Sequence, residues 1–174
     1  TLRPVGTLLV EQDFDADKTE KGPEMFRFGM QMQMPERFNH IEYHGRGPVE
    51  NYADRKSSEF IGTYEANVKD EYYEYIRPQE SGNHTDIRTF SVVDKTTGEG
   101  LTFYGDAPME CSALNYLVED LDDGMHKDKK WGHHSGDLVP RKLTQVHVQK
   151  RQIGLACVNS WGAWPLKPYR LPYG

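Results

Sequence analysis

Phe26, Phe28, Met30, Met32 and Met34 alternate with Arg27, Gly29, Gln31 and Gln33. A helix cannot place that period of two on one face, so the run is an extended strand with one apolar side. Pro35 ends it by removing a backbone donor. Ile41 and Tyr43 then restart the alternation against His40, Glu42 and His44, which predicts a second strand after a short turn. Further short β-prone runs follow at 89–93, 101–104, 111–117 and 145–148, and an earlier one spans 7–11. Thr97-Gly98 and the glycine and proline of 105–108 punctuate them as turns. The expected fold class is all-β and antiparallel. Only 118–125 and 59–69 have room for a helical turn or two, because Pro and Gly interrupt everything longer. Residues 13–21, closed by Gly22-Pro23, read as a loop, and 122–136 as the most flexible stretch.

At 174 residues the chain is long enough for one domain with a real core, and we expect a single β-sandwich domain over 1–174. The net charge of -6 gives no basic footprint for a phosphate backbone, which argues against nucleic-acid partners. No apolar run reaches the roughly 20 residues that span a bilayer, so no membrane partner is expected. Cys111 and Cys157 match neither a metal motif nor a disulfide framework and read as buried small hydrophobes. Ten tyrosines and three tryptophans suit either a sandwich core or a sugar-binding surface.

Two polar segments interrupt this pattern. The first runs Tyr43-His44-Gly45-Arg46-Gly47-Pro48-Val49-Glu50-Asn51-Tyr52-Ala53-Asp54-Arg55 and the second Tyr75-Ile76-Arg77-Pro78-Gln79-Glu80-Ser81-Gly82-Asn83-His84-Thr85-Asp86-Ile87-Arg88. Arg46, Arg55 and Arg88 offer planar forks to carboxylates, which suits locking loops together. Glu50, Asn51, Asp54, Glu80, Asn83 and Asp86 are the loop-organising partners, and Gly82-Asn83 suits a turn with positive φ. A direct ligand role for Glu50, Asp54 and Arg55 stays open beside the structural one. His126, His133 and His134, near Asp128 and Asp137, read as solvated loop histidines, and no metal site is expected there.

These segments resemble the G-R-G-P-x-E-N-Y-x-D-R and Y-x-x-P-Q-E-x-G-N-x-x-D-x-R signatures in the C-terminal β-sandwich of glycoside hydrolase family two β-galactosidases. A third likeness runs from Ser112-Ala113-Leu114-Asn115-Tyr116 through Glu119-Asp120-Leu121 to His126. A fourth, Asn159-Ser160-Trp161-Gly162, is similar to the family segment that brings a tryptophan to the active-site mouth. The resemblance implies a supersandwich of galactose-mutarotase type, incomplete on its N-terminal side because the first strands of that domain would precede Thr1. It implies that Trp161, with Asn159 and Ser160, borders a galactoside site. Ala156-Cys157-Val158 replaces the family's Gly-Gly-Asp, and Gln149 stands where the family has Asp. Trp131 and Trp164 are expected to pack rather than bind.

Retaining glycosidases need two carboxyl groups about 5 Å apart, and in this family both lie in a separate β/α barrel. Nothing here repeats like a barrel, so no catalytic residue and no hydrolysis by this chain alone are expected. The family's magnesium and sodium lie in other domains, so no cofactor is expected in this segment. Expected partners are a galactoside or other carbohydrate, the catalytic barrel of the same enzyme and, through the strand edge that missing strands would leave open, a second copy. A chain opening at Thr1 reads as an excised piece, and the resemblance leaves the compartment, bacterial cytoplasm or periplasm, undecided. Two alternatives remain. One is a stand-alone carbohydrate-binding module. The other is a mutarotase-like protein, which would need His44 or His84 beside Glu50 or Glu80 as an acid and base pair.

Overall fold

The computed structural model describes residues 2–3, 6–14, 24–122, 134–156 and 162–171. Among the described residues the strands are β1 (Leu2–Arg3), β2 (Thr7–Leu8), β3 (Arg27–Pro35), β4 (His40–Gly47), β5 (Phe60–Asn67), β6 (His84–Val93), β7 (Gly100–Leu114) and β8 (Leu143–Gln152), and α1 (Val118–Leu121) is an α-helical turn. The fold is all-β. β1 and β2 pair with each other, and the other six strands form one antiparallel sheet in the order β3-β8-β7-β6-β4-β5.

The period of two becomes a continuous apolar face across that sheet. Register places Met30 beside Val148, Met32 beside Val146, Cys111 beside Val148, Ala113 beside Val146, Phe90 beside Phe103, Tyr43 beside Phe90 and Ile41 beside Val92. Ile41, Phe90, Val92, Cys111, Ala113 and Val146 are wholly buried, each large aliphatic or aromatic contributing about 1.5–3 kcal/mol by leaving water. Phe38, in the turn after β3, and Val68, in a 3-10 turn after β5, pack against the same cluster. Cys111 is the buried small hydrophobe the sequence suggests, its thiol pushed far up by burial and by Glu110.

The opposite face is polar yet also covered over β7 and β8. Ser112, Gln145, His147 and Gln149 are all buried there. Ser112 Oγ lies 3.2 Å from His147 Nδ1, and His147 Nε2 lies 3.3 Å from Gln31 Oε1. Burial, with Arg27 nearby, lowers the His147 pKa to about 4. Most buried polar groups of this kind are hydrogen-bonded; Gln149 donates through Nε2 to Gln152 at 3.2 Å, while its Oε1 has no partner.

Three elements differ from the sequence-based expectation. Of the region 59–69, residues Phe60 to Asn67 form strand β5, each with a partner along β4, and the helical turn is confined to the 3-10 turn that begins at Val68. Cross-strand pairing of β-branched and aromatic residues overrides a weak local preference. The Gly and Pro of 105–108 make no turn: β7 runs unbroken past them as a bulge, pairing Tyr104 with Thr89 and Met109 with Ile87, and bulges are where sheets accommodate such residues. The strand expected over 7–11 shrinks to Thr7–Leu8. Most of the 13–21 loop and of the 122–136 stretch lies outside the described residues.

Antiparallel pairing gathers the C-terminal ends of β4 and β8 and the N-terminal ends of β3 and β6 at one end of the sheet. Both polar signatures emerge there.

Candidate functional site

Glu50 is the hub of that end. Its carboxylate, 5 % exposed, accepts from the Gly82 backbone N–H at 2.6 Å, an Arg55 guanidinium nitrogen at 2.5 Å, the Tyr52 hydroxyl at 3.2 Å and Ser81 Oγ at 3.3 Å. The Tyr75 hydroxyl, which also receives Arg55, donates to it too. Burial, and then the bond to Glu50, push the Tyr75 pKa up to about 12. Gly82 supplies its N–H from a left-handed conformation, φ 72°, as the Gly82-Asn83 turn chemistry predicts for the glycine.

Asn51 welds the two signatures backbone to backbone. Its Nδ2 donates to the carbonyls of Arg46 and Val49 at 2.9 and 3.0 Å, and its Oδ1 accepts from the Thr85 N–H at 2.9 Å and the Thr85 hydroxyl at 2.6 Å. Asn83 Nδ2 donates to the Asn51 carbonyl at 2.9 Å and reaches Glu110 at 3.4 Å. Asn51 and Asn83 are wholly buried, so each amide positions chain rather than meeting solvent.

Asp86 sits at φ 56°, a conformation that costs a non-glycine residue energy unless its surroundings hold it. Those surroundings are Arg46 Nε at 2.8 Å and Lys56 Nζ at 2.9 Å. Burial alone would raise its pKa, but the hydrogen bonds from Arg46 and Lys56 outweigh burial and hold the carboxyl below its ordinary range. Arg46 also ties down the Glu59 carbonyl at 2.6 Å, and Arg88 the Asp86 carbonyl at 2.8 Å. Glu80, raised by burial against the pull of Arg27, is ion-paired to that arginine at the start of β3.

Asp54 links this end of the sheet to the last signature. Its two carboxylate oxygens accept the backbone N–H groups of Leu155 and Ala156, both at 2.9 Å. Gly154 is required beside it, since a Cβ there would stand 2.5 Å from the Asp54 carboxylate. Ala156 takes φ 65°, at one of the positions where the resembled pattern carries glycine instead. Ala156→Gly is expected to stabilise the chain by about 1 kcal/mol by removing the Cβ penalty of the left-handed conformation, measured as a higher urea midpoint. Asn159, Ser160 and Trp161, together with Cys157, lie outside the described residues, as do His126, Asp128, Trp131 and His133. Trp164, expected to pack, is instead 52 % exposed with the Arg170 guanidinium 6.0 Å from its ring centre.

The structure places Arg46, Glu50, Asn51, Asp54, Arg55, Glu80, Asn83, Asp86 and Arg88 at one end of the sheet, with the bonds given above. Among the described residues, His84, a histidine that the mutarotase alternative would use, hydrogen-bonds to neither Glu50 nor Glu80. His84 is buried, with Nε2 2.6 Å from Glu71 and Nδ1 3.2 Å from the Tyr43 hydroxyl, and His44 faces outward on β4. Lys56 and Glu110 were not signalled: Lys56 meets Asp86 only through the fold, and Glu110 lies in an ordinary strand. A cleft of about 300 Å³ opens beside them, lined by Lys56, Asp86, Glu110, Lys150, Arg151 and Tyr169 among others. Burial lifts the Glu110 pKa to about 7.

Comparison with known proteins gives one consistent result. The family model described as beta galactosidase small chain matches residues 1–174. The β-galactosidase of Halalkalibacterium halodurans is 32 % identical over 165 residues, covering 94 % of this chain and 15 % of that protein. That of Priestia megaterium is 32 % identical over 163 residues with the same two coverages. That of Streptococcus thermophilus is 30 % identical over 142 residues, 81 % of this chain and 13 % of the relative. The chain thus spans about 15 % of the length of the first two relatives.

Proposed function

The chain belongs to the β-galactosidase small-chain family, and from that premise we propose that it is the noncatalytic C-terminal β-sandwich portion of a β-galactosidase-type glycoside hydrolase. In this reading residues 1–174 act as one domain. They support a catalytic barrel that holds both reacting carboxyl groups and whatever metal ions the enzyme uses. Their direct contribution is to present Trp161, with Asn159 and Ser160, at the galactoside-binding rim, where an indole face would stack on the apolar C–H face of a sugar.

The observation that carries this reading is the Asp54 clamp. Its carboxylate accepts two consecutive backbone N–H groups, of Leu155 and Ala156, directly before the segment that contains Trp161. Charge-assisted bonds to backbone are short and strong, so the launch point of that segment is fixed by the same loop that Glu50, Asn51 and Arg55 organise. A site that must hold a platform within a fraction of an ångström of its substrate needs such support.

The expected result is that the isolated chain releases no nitrophenol from nitrophenyl galactoside and gives no heat with millimolar galactose or lactose in a calorimeter. The remainder of the enzyme, expressed without this chain, is expected to be inactive until the chain is added back. Turnover by the isolated chain would overturn the division of labour, and binding heat would make it a sugar-binding module in its own right. Full activity of the remainder without the chain would remove the supporting role.

A further inference from the structure

His40, Glu42 and Glu65 meet on the outer face of β4 and β5, and the function proposed above uses none of them. Glu42 and Glu65 are direct cross-strand partners, and like charges placed opposite one another destabilise a sheet. His40, two residues along β4 on the same face, is 3 % exposed. Its Nε2 points at the pair, 3.2 Å from Glu65 Oε2 and 3.9 Å from Glu42 Oε1. One ligand atom from each of the three residues lies within 4.8 Å of the others, and among the described residues this is the one such group of three.

We propose that His40 Nε2 and the carboxylates of Glu42 and Glu65 form a binding site for a divalent transition-metal ion, with zinc the best-suited ion, that fastens β5 to β4. The donor set of one imidazole and two carboxylates is one that zinc accepts, leaving a fourth position for water. Bonds of about 2.0–2.2 Å place tetrahedral ligands about 3.3–3.6 Å apart, which the two measured separations bracket. The ion also answers an electrostatic need, because it neutralises two carboxylates that the register forces together. The histidine is fixed by burial and both acids project from paired strands, so little ordering remains to be done when the ion arrives.

Two features set the strength of the site. His40 Nδ1 is buried without a hydrogen-bond partner, and a ligating histidine that lacks an acceptor on its second nitrogen loses about 10–100-fold in affinity. Lys95 Nζ lies 3.1 Å from Glu65 Oε2 and competes with any metal for that oxygen. An affinity weaker than that of a closed structural zinc site follows.

The test is a zinc chloride titration, against a chelating indicator dye, of the intact protein that carries this chain, first stripped of metal. The wild type is expected to bind one more zinc per chain than the Glu42→Gln/Glu65→Gln double variant, whose changes are exposed, nearly isosteric and remote from the Asp54 loop. Lys95→Met is expected to tighten that same equivalent by at least about threefold, because a competing cation leaves. Cobalt(II) in place of zinc should give a four-coordinate visible spectrum in the wild type, lost in the double variant. An unchanged zinc stoichiometry in the double variant overturns the site, and so does an affinity that Lys95→Met leaves where it was.

Discussion

Glu50→Ala is expected to cost about 3–5 kcal/mol of stability, enough to leave a chain of this size partly unfolded. The carboxylate is almost fully covered and accepts from five groups on three stretches of chain, among them the Gly82 N–H and the Arg55 guanidinium. Truncation leaves the Gly82 N–H and the Ser81, Tyr52 and Tyr75 hydroxyls without that acceptor, which is the expensive way to lose a hydrogen bond, whereas the half-exposed Arg55 can turn to water. Glu50→Gln keeps the shape and one acceptor oxygen while removing the charge. Because charge-assisted bonds are roughly twice as strong as neutral ones, it should fall about midway between wild type and alanine. Urea midpoints of the 174-residue chain measure both. A cost for alanine below about 1 kcal/mol, the range of exposed ion pairs, would show that the hub is peripheral.

The second large effect is a pair of opposed titrations. The folded His147 imidazole, with its pKa near 4, refuses a proton that the unfolded chain takes up near 6.5. Its contribution therefore falls away as pH drops from about 6.5 to 4. Glu110, held protonated up to about 7 in the fold, does the reverse: its contribution is complete below about 4.5, the unfolded value, and is lost as pH rises to 7. Each shift corresponds to about 3 kcal/mol across its window. The two windows overlap with opposite sign, so these two groups leave the wild type nearly flat between them. Glu110→Gln, which retains an amide for Asn83, exposes the histidine and should lose about 3 kcal/mol between pH 6.5 and 4. His147→Gln exposes the carboxyl and should lose a similar amount between pH 4.5 and 7. Denaturation curves at four or five pH values check this, and parallel pH profiles for the two variants would refute the assignment.

Much of the architecture was legible because it rests on alternation. The Met30, Met32 and Met34 face and the Ile41 and Tyr43 face announce themselves in the sequence and appear in register in the sheet. β5 was not legible: Phe60 and Ile61 are exposed, and its inward face is only Gly62, Tyr64 and Ala66, half-buried at the edge of the core, so pairing with β4 does much to fix the strand. The residues of 105–108 carry turn chemistry but lie within β7, because a bulge and a turn use the same local conformations. The two polar signatures were readable as a resemblance, and the fold shows what some of their residues touch: Asn51 bridges backbones, Asp86 sits between two cations, and Asp54 accepts from a chain about a hundred residues away. Lys56, Glu110 and the His40 cluster were silent, since nothing local marks a side chain whose partner arrives through tertiary pairing.

The most direct measurement is galactoside hydrolysis by the intact enzyme carrying Trp161→Ala or Asp54→Ala, followed as kcat/KM. Both variants are expected to fall by about tenfold or more, equivalent to about 1.4 kcal/mol of transition-state binding, with Trp161→Ala leaving the stability of the chain unchanged and Asp54→Ala lowering it as well. Wild-type kcat/KM in the Trp161→Ala enzyme would contradict a galactoside rim built from this chain.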